Sequence, residues 1–75
     1  MLPDAEIDRY LDLVDDAVVL AAEGKLADGY GVLLAGLRYA EEERENANPW
    51  ADDLVRRYRL ALENYCVSYG VPMPE

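Results

Sequence analysis

Two short groups of turn-forming residues divide the 75-residue chain into three segments of about twenty residues each. Gly24-Lys25 forms the first break, and Asn46-Ala47-Asn48-Pro49 forms the second. Within each segment apolar residues recur every three or four positions, and no stretch shows the strict alternation of a strand. The sequence therefore predicts an all-α protein with helices over about 3–23, 26–45 and 49–69, arranged as a three-helix bundle or as a helical hairpin plus a third packing helix.

The ends of the third helix carry specific signals. Asn48 is a good N-cap residue, and Pro49 after it suits the first position of a helix. Gly70 stands where a left-handed residue commonly ends a helix. We therefore expect a single helical domain over residues 1–75, with 71–75 as a short C-terminal tail.

The first helix has an unusually wide apolar surface made of two stripes. One stripe is formed by Ile7, Leu11, Val14, Val18 and Ala21. The other is formed by Tyr10, Leu13, Ala17 and Leu20. A helix that covers a single neighbour needs about one such stripe. The first stripe is therefore a candidate interface, covered either by the third helix or by a second copy of the chain.

Acidic residues are concentrated in the first third of the chain. Residues 1–24 hold seven acidic side chains against Arg9 alone, a net charge of −6 out of −9 for the chain. This charge repels phosphate, which argues against binding to nucleic acid or to an anionic membrane surface. Away from the apolar stripes, the first helix presents Asp8, Asp12, Asp15 and Asp16. This acidic face either keeps the protein soluble or meets a basic protein partner.

The second segment is the most apolar and contains several small residues. A glycine inside a helix costs about 1 kcal/mol relative to alanine, so these glycines need a reason. We expect close approach of another helix to be the reason for Gly29, Gly31 and Gly36. Gly29 and Gly36 form a stripe of small residues with Ala40. This interpretation places the second helix at the centre of the fold. The alternative is a break in the helix near Tyr30-Gly31.

The third segment combines a large apolar face with a basic cluster. The apolar face consists of Leu54, Tyr58, Ala61, Tyr65 and Tyr69, with Val55, Leu62 and Cys66 beside it. The cluster Arg56-Arg57-Tyr58-Arg59 has acidic residues four positions away, at Asp52, Asp53 and Glu63. Opposite charges at this spacing pair along a helix. We therefore expect a paired surface face, with docking against the acidic face of the first helix as the alternative.

The stretch from Tyr10 to Ala40 resembles a tetratricopeptide-type helical hairpin. The residues that carry the resemblance are the small Ala17, Gly29 and Gly36, the turn residue Gly24, and the large Leu13, Leu20, Leu26 and Leu33. Asp16 and Glu41 depart from the pattern, which prefers an apolar residue and often a proline there. The resemblance implies a protein-interaction scaffold whose ligand-facing surface is formed by Leu11, Val14, Val18 and Ala21.

Several catalytic chemistries lack their residues in this chain. The sequence contains no His and one Cys, which excludes Cys/His zinc sites within one chain and His-activated nucleophiles. Cys66 is interpreted as a small buried apolar residue. A single cysteine cannot form an internal disulfide, and the acidic N-terminus differs from a signal peptide, so we expect a cytoplasmic protein. Neither a cofactor nor a metal is expected.

These observations favour a small non-enzymatic helical module that binds a protein partner and self-associates as a homodimer. The first alternative is an acidic inhibitor or nucleic-acid mimic that binds a basic protein surface. The second is a carboxylate–metal helical enzyme. Asp12 and Asp15 form one pair of carboxylates a helical turn apart, and Glu42 and Glu45 form another.

Overall fold

The computed structural model describes residues 2–72, which form three helices: α1 (Asp4–Ala22), α2 (Leu26–Glu45) and α3 (Ala51–Tyr69). No strand occurs within this described range. Because α2 packs extensively against both α1 and α3, which touch each other only lightly, the protein is an all-α three-helix bundle centred on α2. α2 is continuous, so the alternative of a break near Tyr30-Gly31 is wrong. Met1 and positions 73–75, most of the predicted tail, lie outside the described residues.

All three helices end with the same backbone motif. A residue in the left-handed region follows each helix: Gly24 (φ 81°), Ala47 (φ 64°) and Gly70 (φ 68°). The amide of the next residue then donates to the carbonyl five positions earlier, which satisfies a carbonyl left free at the helix end. Two of the three positions carry the glycine that this conformation favours, while Ala47 adopts it with a side chain.

The interpretation of Asn48 as the cap of the third helix is wrong. α3 begins at Ala51, with Trp50 in the N-cap position and no side-chain cap. The Asn48 carbonyl accepts a hydrogen bond of 3.1 Å from the Ala51 amide, so Pro49 and Trp50 form a turn before the helix. Asn48 instead completes the end of α2, because its own amide donates to the Glu43 carbonyl.

The core lies along both sides of α2. Its fully buried large side chains are Tyr58, Leu33, Leu54 and Leu62. Gly36 lies against the Tyr58 ring and Gly29 against the Tyr65 hydroxyl, so a side chain at either glycine would collide with α3. Nothing lies within 4 Å of a Cβ added at Gly31. The expectation that another helix approaches Gly31 closely is therefore wrong.

Candidate interaction surface

The candidate interface on α1 divides into a buried part and an exposed part. Ile7, Val14 and Ala21 are partly buried and pack against the core. Leu11 and Val18 are 53% and 48% exposed. The division follows from the position of each residue around the helix, because the first three point toward the neighbouring helices. The stripe is therefore partly core and partly surface.

An apolar groove runs between α1 and α3, and we call it the α1–α3 groove. It has a volume of about 230 Å³. It is lined by Tyr10, Val14, Ala17 and Val18 of α1, by Leu33 of α2, and by Ala61, Asn64, Tyr65, Ser68 and Tyr69 of α3. The groove exists because both outer helices pack on α2 and because the small side chains of Ala17 and Ala61 leave the space between them unfilled.

Tyrosines form the α3 wall of the groove. The Tyr65 and Tyr69 rings have centroids 4.8 Å apart, and Tyr69 remains 38% exposed. The Tyr65 hydroxyl donates a hydrogen bond of 2.7 Å to the Leu26 carbonyl, which fixes the ring against α2. Burial is the main cause that raises the pKa of Tyr65 above its usual value, because loss of water disfavours the ionised phenolate. The wall is therefore apolar and held in position from behind.

The acidic face of α1 borders the exposed part of the stripe. Asp8, Asp12, Asp15 and Asp16 are all exposed, and none of them forms a salt bridge within residues 2–72. Arg9, the one basic residue of α1, lies instead over the Tyr39 ring of α2 with its guanidinium carbon 4.8 Å from the ring centroid. The negative charge of this face is thus not neutralised by the part of the chain that the structure describes.

The arginines of α3 are paired differently from the expectation. Arg57 pairs with Asp53 at 3.4 Å, as the spacing predicts. Arg59 pairs with Glu41 of α2 at 3.8 Å rather than with Glu63, because its side chain reaches across to the neighbouring helix. Arg56 forms no salt bridge with Asp52 or with any other residue of 2–72. No salt bridge within residues 2–72 joins these arginines to the acidic face of α1. The alternative of docking on that face is therefore not seen within the described part of the chain.

Arg56 and Arg59 line an open cleft on the other side of α3. The cleft has a volume of about 420 Å³ and also includes Arg44 of α2, so three basic side chains surround it. Two acidic residues, Asp52 and Glu63, share the same cleft. The basic side chains on this side contrast with the unpaired acidic face of α1.

Two apolar residues on α3 point away from the core. Leu60 is 55% exposed and Val67 is 78% exposed. They lie seven residues apart, which places them on the same side of the helix, and we call this pair the α3 ridge. Apolar periodicity in the sequence did not identify this pair or the tyrosine wall as a surface. The available signal was that Leu60 and Val67 lie opposite the apolar face centred on Tyr58.

Cys66 and the acidic side chains are the groups that the sequence offers for nucleophilic or metal chemistry. Cys66 is buried and unpaired, and burial raises the pKa of its thiol, so it is not activated as a nucleophile. Among residues 2–72, no three His, Cys, Asp or Glu side chains come together in a cluster that could hold a metal ion. Over the same range, no helix is both long and apolar enough to cross a lipid bilayer.

Comparison with protein-family models, with curated proteins and with solved structures finds no match to this chain. The resemblance to a tetratricopeptide hairpin therefore stays a prediction. The groove, the ridge and the charges around them are the structural features that bear on function.

Proposed function

We propose that this chain is a small non-enzymatic helical protein–protein interaction module that self-associates, with a homodimer as its simplest form. The observation that carries the proposal is the α1–α3 groove, whose sides include the exposed Val18 and Tyr69. The exposed Leu11 lies seven residues before Val18, on the same side of α1. A groove of this kind suits an amphipathic helix, which inserts apolar side chains at helical spacing. No cofactor or metal has a role in this proposal, and neither nucleic acid nor membrane is a partner.

The physical driving force is the burial of apolar surface that is now in contact with water. Full burial of a Leu or Val side chain stabilises by roughly 1.5–3 kcal/mol, and the exposed groove residues are already about half buried. Association also costs translational, rotational and side-chain freedom. A surface of this size therefore supports reversible association rather than a permanent complex. A cytoplasmic location agrees with the single, reduced cysteine.

Val18→Asp and Val19→Asp test this proposal as a matched pair. The two valines are neighbours and are 48% and 56% exposed, but only Val18 lines the groove. We expect light scattering to show that the wild-type chain and Val19→Asp share a concentration-dependent mass, while Val18→Asp is a monomer. A wild-type monomer at high micromolar concentration that binds no hydrophobic dye would contradict the proposal.

A second candidate function comes from the acidic face of α1. Four exposed carboxylates without a salt bridge inside residues 2–72 suit an inhibitor that covers a basic protein surface, as a nucleic-acid mimic does. The test is competition with a DNA duplex for basic DNA-binding proteins. Changing Asp8, Asp12 and Asp15 to Asn should abolish competition, whereas changing Glu42, Glu43 and Glu45 to Gln removes the same charge elsewhere and should preserve it. Equal loss in both variants would contradict a specific acidic face.

A further inference from the structure

We draw no further inference here: the strongest candidate, the apolar groove between α1 and α3, belongs to the surface already described, and nothing in the structure shows which segment of a partner covers it.

Discussion

Tyr58 of α3 lies against the backbone of Gly36 in α2, so closely that a Cβ at Gly36 would be 2.7 Å from the ring carbon Cδ1. Tyr58 has no exposed surface, so the ring has nowhere to move. This contact explains why α2 has glycine at position 36, where alanine would be the better helix former. It also makes the two glycines of α2 at positions 31 and 36 suitable for a direct comparison.

We predict that Gly36→Ala destabilises the protein even though alanine is the better helix former. The new methyl group collides with the Tyr58 ring, and overpacking of this kind costs about 1–3 kcal/mol. Gly31→Ala is the matched control, because nothing lies within 4 Å of its added Cβ. It should stabilise by about 1 kcal/mol through helix propensity alone. Urea unfolding measures both, and equal shifts in the two variants would contradict the close contact.

The second prediction concerns the left-handed residue that follows α2. Ala47→Gly should stabilise by about 0.5–1 kcal/mol, because glycine adopts a positive φ without the steric cost that alanine has. Gly24→Ala makes the reverse change at the equivalent position after α1 and should destabilise by about 1 kcal/mol. Thermal unfolding should therefore move in opposite directions for the two variants. A loss of stability in Ala47→Gly would show that the backbone there is not left-handed.

The third prediction compares two buried tyrosine hydroxyls. The Tyr58 hydroxyl is buried without a hydrogen-bond partner among residues 2–72, so Tyr58→Phe should stabilise by about 1 kcal/mol. The Tyr65 hydroxyl donates to the Leu26 carbonyl, so Tyr65→Phe should destabilise by about 1 kcal/mol. The midpoint of urea unfolding reports both changes. A loss in Tyr58→Phe as large as that in Tyr65→Phe would mean that the Tyr58 hydroxyl is bonded.

The fourth prediction is a loss of stability at alkaline pH. Burial raises the pKa of Tyr58 from about 10 to about 12, and burial also raises the pKa values of Tyr39 and Tyr65. Each raised pKa means that the folded state holds its proton at pH values where the unfolded chain has lost it. Their stabilisation is therefore complete below pH 10 and declines as the pH rises through about 12.

Thermal unfolding between pH 8 and pH 12 checks this decline. Tyr58→Phe removes one of the titrating groups, so its melting temperature should fall less steeply with pH than that of the wild type. Tyr69→Phe is a suitable control because this tyrosine is partly exposed. An identical pH dependence in wild type and Tyr58→Phe would contradict a proton held by the buried ring.

Much of the fold follows from the sequence because its signals are local. Helical periodicity and turn residues predict the three helices to within about two residues at each end. The cap of α3 was predicted wrongly because Asn48 has two competing uses. Its side chain suits an N-cap, but its amide is needed to close α2. Local preference alone could not decide between them.

The candidate surface was predictable only in part. Periodicity identifies the α1 stripe, but it does not distinguish Val14, which packs on the core, from Val18, which remains half exposed. That difference depends on how far α1 and α3 are separated, which is a property of the tertiary packing on α2. The pairing of Arg59 with Glu41 was missed for the same reason, since it joins two different helices.

The two glycine–tyrosine contacts also restrict how α2 and α3 can slide past each other. Gly29 and Gly36 are seven residues apart on α2, and Tyr65 and Tyr58 are seven apart on the antiparallel α3. A shift by one helical turn would bring each ring against a residue that carries a side chain. The pair therefore fixes a single register between the two helices. In a small chain whose other core contacts are largely exchangeable leucines and valines, these two contacts select one native alignment over its nearest competitors.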